Sequence, residues 1–572
     1  MRNRLHSILV IFVLGVSAAA LFPQSTAAVF KVIEPRAGAS VGSENLVLRF
    51  DANLPMGGLG RATVFVNQVP WCDMGSGSAN RFFSLLPAST IGYGSVAISG
   101  KVSVNQHGGI VDTVESDSVT VKLSRGDWTT RFGGGTRNSI MDDSAATSGA
   151  ISREWITDLA GIVESAPISD GSSLYYLIDR DTKPVLVKLA LDTGRLQYSV
   201  PIKEAALGGF YGAGLAIDRV EGILYAMVRK PGSVRILGID PATGETDFTT
   251  EEIPFAGVME MLPYSNGQKS ALLVAGFAPL ENGSMDLDIF SIDKGGYVQL
   301  CAVQKGADGS ESRVRGLTQA QLVWLPGNSV FEGPGVAVVA GRQILAVQDP
   351  LSMRAMDQPL PIKVINISRS TPRQQPGFAL FSGSGLAGAL YFAFSDGYWR
   401  MPVKDASFEL EQVSGSFAQS DDSFSVLDGR IYHFLTDRGS NYVLEARDSV
   451  GGGVNRMVLS VDSDYSERYF LNAFDCAPLV GRKFVVAIDR NYALFVVNRQ
   501  TFLSDEGKAM RTDAPEQVVS AKKSIKRLPF GRANKSGGRG YFRQPDLVTV
   551  GPRIIVTTGE EGPNFAICYR MR

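Results

Sequence analysis

Histidine is nearly missing from this chain. It has three in 572 residues, and with His6 inside an N-terminal leader only His107 and His433 remain. That excludes His-rich metal sites and leaves little room for a Ser-His-Asp triad. Cysteine is scarce as well: Cys72, Cys301, Cys476 and Cys568 are too few for a disulfide-dense scaffold. They form no CxxC pair and have no histidine nearby, so a zinc site is not expected. Neither sign of charge is in excess. Fifty-six Lys and Arg against 57 Asp and Glu give a net charge of −1, which argues against a dedicated nucleic-acid binder. After the leader no apolar run is long enough to span a bilayer, and the C-terminal Cys568–Arg572 lacks the hydrophobic tail of a lipid-anchor signal. No P-loop, no GxGxxG opening a helix after a strand, no HExxH and no EF-hand loop is present.

What the chain does have is glycine, 62 residues, with 27 prolines and 44% hydrophobic side chains. That is the composition of an all-β protein with many turns. Residues 1–28 read as a signal peptide: Arg2 and Arg4, an apolar Ile8–Val16, then Thr26-Ala27-Ala28 as a cleavage site. The run is short and broken by Gly15 and Ser17, unlike a membrane anchor. The expectation is a secreted, extracellular protein without a membrane span.

The organising stretch is Gly222–Thr246, GILYAMVRKPGSVRILGIDPATGET. Ile223–Val228 is apolar on both alternating faces, Lys230-Pro231-Gly232 supplies a turn, and Ser233–Ile239 reads as the returning strand. In Asp240-Pro241-Ala242-Thr243-Gly244, Asp opens a type I turn, Pro presets φ, and Gly accepts the left-handed residue that closes it. Related hairpins begin at Leu174, Leu272, Val336, Leu390, Ile431, Phe484 and Ile554. Eight hairpins at intervals of about 40–70 residues fit a β-propeller of four-stranded blades over residues 153–572. Seven blades is the first reading and eight the alternative, with one terminal strand completing a blade at the other end of the chain.

Residues 29–124 carry short alternating runs (Phe30–Pro35, Asn45–Asp51, Ala62–Val69, Ser95–Val104, Ser118–Leu123) punctuated by Gly, Pro and Asn, and read as a small β-sandwich. Trp71 beside Cys72 is expected in its core. Residues 125–152 are polar and Gly/Ser/Thr-rich, which reads as a flexible linker. Arg125-Gly126-Asp127 lies in it, and on an exposed loop it would resemble the RGD tripeptide of adhesion ligands.

On these residues the sandwich resembles immunoglobulin-like and fibronectin type III domains, without the Cys…Trp…Cys signature of antibody domains. The LYxxxD…IDPATGE style resembles the repeats of YVTN, NHL and LDL-receptor class B propellers, and ALDTGRLQY resembles the end of a quinoprotein-type repeat. No WD dipeptide with its paired histidine is present. The resemblance implies a fold and a broad funnel face, commonly used to hold proteins or glycans.

Candidate chemistry is sparse. A copper-radical centre of the galactose-oxidase kind needs two histidines in the propeller, and His433 stands alone in the apolar IYHFL. Asp179, Asp218, Asp437 and Asp489 recur before arginine, and Asp396 stands in Ser-Asp-Gly. Convergence of such carboxylates on the channel would hold calcium or do acid–base work; as turn openers they would bond local backbone instead. The turn reading outweighs the other. Gln517–Arg543 holds Lys522, Lys523, Lys526, Arg527, Arg532, Lys535, Arg539 and Arg543 with no acid, a candidate polyanion-binding loop or, at Lys526-Arg527, a dibasic processing site. Asn282, Asn366 and Asn534 head glycosylation sequons, and Cys476 with Cys568 is the candidate disulfide. Together these favour a non-catalytic binding or adhesion protein with a protein or glycan partner. A propeller hydrolase, lactonase or quinoprotein-like oxidoreductase is the alternative. Beyond calcium no cofactor is expected.

Overall fold

The structure is a computed structural model. It describes residues 29–572 apart from 44, 54–57, 77–80, 106–110, 131–132, 182, 203–213, 231, 267–268, 280–284, 308–319, 328–334, 341–342, 352–361, 367–377, 395–396, 404–408, 414–423, 437–441, 460–476, 489–492, 505–508, 512–516, 521–545 and 558–563. The signal peptide expected over 1–28 therefore lies outside the described residues.

The N-terminal region forms two sheets. One orders the strands Val29–Glu34, Asn45–Asn53, Arg81–Pro87 and Gly75–Ser76; the other is built around Gly94–Asn105, flanked by Gly58–Val66 and Val119–Leu123. Alternation does its work here: Phe30, Leu48, Phe50 and Phe82 from the first sheet meet Val64, Ile98, Val102 and Val121 from the second in one core. Phe30 stacks on Phe50 at 5.2 Å between ring centres.

From residue 151 the described residues build eight sheets (numbered sheets 1 to 8 by their first strands), each a run of antiparallel strands except that Ala509–Arg511 adds parallel to the outer strand Val454–Leu459 of sheet 6. Their first strands are Ile168–Ser169, Leu215–Asp218, Ala256–Ser265, Ala320–Leu325, Phe378–Ser382, Ser425–Leu427, Leu479–Val480 and Asp546–Val550. Along sheets 1 to 7 these first strands neighbour one another in turn, and adjacent sheets share apolar layers. Sheet 8 takes its outermost strand from the start of the ring: Ile151–Asp158 pairs antiparallel with Phe565–Met571, Ile151 opposite Met571 and Asp158 opposite Phe565. This is a β-propeller, and the closing strand comes from the front of the chain.

The predicted hairpin and reversal hold in detail. Strands Ile223–Lys230 and Ser233–Ile239 pair. In the turn that follows, Asp240 Oδ1 accepts from the Ala242 N–H at 2.8 Å, Thr243 Oγ1 donates to Asp240 Oδ2 at 3.0 Å, and Gly244 takes φ +78°. Such turns between third and fourth strands meet the preceding sheet. Lys188 Nζ of sheet 1 donates to the Pro241 carbonyl at 2.7 Å while lying over the Tyr175 and Tyr198 rings. Asn266 of sheet 3 donates to Asp349 of sheet 4 at 3.0 Å, and Arg499, just after the third strand of sheet 7, donates to Tyr432 Oη of sheet 6 at 2.8 Å. The repeated Leu-Tyr and Asp-turn letters thus encode contacts between neighbouring sheets.

At the closure, Glu154 accepts from Arg553 Nε at 2.7 Å and Arg570 Nε at 2.8 Å. All three side chains are partly exposed, so solvent screens the attraction. Glu154→Ala is expected to lower stability by about 1 kcal/mol, read as a shifted urea midpoint; a shift within error would mean that backbone pairing alone holds the closing strand.

Candidate functional site

In a meander sheet the first strand has one unpaired edge, and here that edge faces the axis. Buried backbone N–H and C=O groups need partners. Residues 125–143 supply them. The Gly551 N–H, in the first turn of sheet 8, donates to the Arg125 carbonyl; Trp128 and Ser169 of sheet 1 exchange backbone bonds of 2.9 and 2.8 Å; the Ile217 N–H of sheet 2 donates to Thr129 at 3.0 Å. Arg137 forms an ion pair with Glu260 of sheet 3. The Trp324 N–H of sheet 4 donates to the Gly135 carbonyl at 2.8 Å, and the Phe381 N–H of sheet 5 to Thr136 at 3.0 Å. Asn138 imitates a strand residue against sheet 6: its Oδ1 accepts from the Val426 N–H at 3.0 Å and its Nδ2 donates to the Val426 carbonyl at 2.7 Å. Ser139 and Met141 pair with Val480 of sheet 7 at 3.1 and 3.0 Å. The segment therefore reaches all eight sheets: the main chain runs past sheets 8, 1, 2, 4 and 5 and on to 6 and 7, while the Arg137 side chain reaches back to sheet 3 and also bonds the Ala379 carbonyl of sheet 5. It is a collar.

The collar corrects two expectations. Residues 125–143 are no flexible linker: Trp128, Thr129, Arg137, Asn138, Asp142 and Asp143 are buried. Nor is Arg125-Gly126-Asp127 an exposed adhesion tripeptide. Arg125 is 1% exposed; its guanidinium donates to Tyr93 Oη at 3.1 Å, to the Ile140 carbonyl at 2.5 Å and to the Gly133 carbonyl at 2.7 Å, and lies 4.3 Å over Trp128. Asp127 is fully buried and accepts from Arg219 at 3.0 Å. A Cβ at Gly126 would drive into the Gly42 carbonyl, so glycine is required by close approach.

A second polar layer lies beside the collar. Glu260 Oε2 accepts from the Leu322 N–H at 3.1 Å, Gln321 Oε1 from the Ala379 N–H at 2.8 Å, and Arg137 Nε donates to the Ala379 carbonyl at 2.9 Å. Arg137 holds φ +60°, a conformation uncommon for a long side chain, kept by the partners its guanidinium finds. The sandwich sits over this end. Its Asp73 N–H reaches the Gly327 carbonyl at 3.2 Å, its Trp71 carbonyl accepts from the Leu386 N–H at 3.2 Å, and Ser89 Oγ meets Thr136 Oγ1 at 3.2 Å. Trp71 is thus partly buried at the junction.

His433 is buried, with Nε2 3.1 Å from Glu445 Oε1 and Nδ1 3.3 Å from the Phe434 carbonyl, a packed strand histidine. Asp218 behaves as a turn opener, its Oδ1 accepting from the Val220 and Glu221 N–H groups at 2.8 and 3.2 Å. Asp179 lies inside the strand Ser173–Arg180, one residue from its end, whereas Asp396, Asp437 and Asp489 lie outside the described residues. Among the described residues no group of three or more His, Cys, Asp or Glu is disposed to hold a metal, and no helix is long and apolar enough to cross a membrane. Cys568 is a buried free thiol whose Sγ lies 3.7 Å from Glu154; the pair expected with Cys476 involves a residue outside the described ones. Cys72 and Cys301 are also free, and burial pushes the Cys72 thiol up to about 12. Cys476, Asn282, Asn534 and the basic residues Lys522, Lys523, Lys526, Arg527, Arg532 and Lys535 lie outside the described residues, while Asn366 ends a strand.

No family model matches the chain, and no curated protein does. Among solved structures, a europium-containing methanol dehydrogenase is similar at 7% identity over 78% of this chain and 98% of its own, with TM-score 0.49. The WD40 domain of SCAP from fission yeast aligns at 7% identity over 74% and 98%, TM-score 0.37. A putative 6-phosphogluconolactonase from Bacteroides fragilis aligns at 13% over 61% and 98%, TM-score 0.35. Their chemistries differ from one another, and at these scores none informs the chemistry of this chain.

Proposed function

We propose that this chain is an exported, non-catalytic binding protein. Its eight sheets are the blades of one ring, its N-terminal sandwich is immunoglobulin-like, and the ring end opposite the sandwich meets a protein or glycan partner. The carrying observation is the collar: it engages the polar groups at one axial end in bonds within the chain, Arg137 with Glu260 foremost, and the sandwich covers what remains. The other end is left for a ligand. The strand ends Ser520 and Asp546, between which the basic stretch runs, belong to that other end: Asp546 stands a full strand away from Gly551, which touches the collar.

The partner this favours is polyanionic, such as a sulfated glycan, drawn by long-range attraction that salt screens. Changing Lys522, Lys523, Lys526 and Arg527 to alanine is expected to weaken retention on a sulfated-glycan column, on the order of tenfold in affinity if each charge contributes a fraction of a kcal/mol. Unchanged elution would remove the polyanion and leave an uncharged glycan or protein face as the ligand.

A further inference from the structure

Residues 125–158 do two things in succession. The collar runs along the inner edges of all eight sheets, and Ile151–Asp158 then closes the outer rim of sheet 8. Both ends of the collar are anchored. Arg125 donates through its N–H to Asp142 Oδ2 at 3.1 Å and through its guanidinium to three further oxygens. Asp143 accepts from the backbone N–H groups of Arg482, Lys483 and Phe484 at 3.1, 2.6 and 2.9 Å. These contacts tie the collar to the sandwich through Tyr93 and to sheet 7 through Asp143, while Gly551 and Ser169 join it to sheets 8 and 1.

The collar's contacts to the later sheets are also far apart in sequence, Asn138 and Val426 by 288 residues and Asp143 and Lys483 by 340, whereas its contact to sheet 1, Trp128 with Ser169, is local. The latches between neighbouring sheets close much shorter loops, as from Lys188 to Pro241, 53 residues. Long loops cost more entropy to close and their contacts tend to form late. Contacts that form after the folding transition state act on the unfolding rate.

We propose that the collar is a lock on the ring: it binds sandwich and propeller into one unfolding unit and sets the rate at which the ring opens. For a protein outside the cell, a slow opening rate is what resists proteolysis when cleavage outpaces reclosing. The occupant of the ring's inner edges is the chain itself.

The test uses the full mature chain. A site for a sequence-specific protease is placed between Thr147 and Ser148, both exposed and just past the collar. After cutting, the two pieces are expected to co-elute on size exclusion, and the sandwich piece to exchange no faster than the ring unfolds. Unfolding is followed by the fluorescence of Trp128 and Trp324, which are buried at the collar. Asn138→Leu, which removes both bonds to Val426, is expected to speed unfolding by about tenfold, with little change in the folding rate. Release of the sandwich piece from a still-folded ring would overturn the proposal. So would an Asn138→Leu chain whose lost stability appears entirely in slower folding. Should that variant fail to fold, the cut chain with Asn138 intact decides alone.

Discussion

Arg125→Ala lowers the unfolding free energy by about 3–5 kcal/mol, the range seen when one partner of a buried polar network is removed. Alanine leaves the Ile140 and Gly133 carbonyls and Tyr93 Oη without the donor they share, and empties the space over Trp128. Each buried acceptor left unpaired costs about 1–3 kcal/mol; the lost packing adds to that, and partial relaxation subtracts. Lysine does not rescue, because one ammonium cannot reach three oxygens that diverge around a planar fork. Urea unfolding followed by tryptophan fluorescence measures the loss. The result also separates two meanings of the same three letters. An adhesion motif mutated at its arginine would lose attachment and keep its unfolding midpoint; a structural knot loses the midpoint first. A midpoint unchanged within error would return Arg125-Gly126-Asp127 to the adhesion reading.

How the collar escaped the sequence is instructive. The hairpins were legible because each carries its reasons locally: alternation or an apolar run in Ile223–Val228, Pro231 and Gly232 at the turn, Asp240 and Gly244 at the reversal. Residues 125–143 have no local structure to encode. Their partners are edges of strands up to several hundred residues away, and those edges exist only once the ring is built. Polar, small side chains are what such a position needs, since the segment must pass close to backbone and bond to it. Gly126 and Gly135 are there for close approach, Thr129 and Ser139 use their main chain, and Asn138 offers its amide as a substitute main chain. That composition is also the composition of a linker. The signals against a linker were Trp128 and the Ile140-Met141 pair, apolar residues that solvent does not favour, and the lack of any proline between Arg125 and Ala150. The blade count was ambiguous for a related reason: the strand that completes sheet 8 stands at residue 151, before the first hairpin, so counting forward could not assign it. The basic stretch Gln517–Arg543, on which the proposed partner rests, gains least from sequence, because it carries charge without periodicity.

The second large effect concerns acid. Glu445 is buried, which by itself pushes its carboxyl up, but the hydrogen bond and charge of His433 together with Arg447 and Arg456 outweigh burial and hold it at about 2, against an ordinary 4.5. A carboxylate depressed on folding contributes stability that is fully present above its unfolded value and is lost as pH falls through its folded value. The window is therefore between about 4.5 and about 2. A difference of that size corresponds to about 3 kcal/mol, at about 1.4 kcal/mol per unit. Unfolding free energy measured from pH 6 downward should fall across this window in the natural chain. Glu445→Gln flattens that part of the profile while lowering stability at neutral pH, because Arg447 and Arg456 then face an amide that neutralises neither of them and His433 Nε2 loses its carboxylate partner. A Glu445→Gln chain with the same acid slope as the natural one would mean that other carboxylates carry the acid response, with Asp170 and Asp448, also held low, the next to test. The site lies on the second and third strands of sheet 6, whose first strand meets Asn138 of the collar. If the lock holds the ring as one unit, acid acting on Glu445 opens sandwich and ring in a single transition; two separate acid transitions would mean that the knot and the collar stabilise independent parts of the chain.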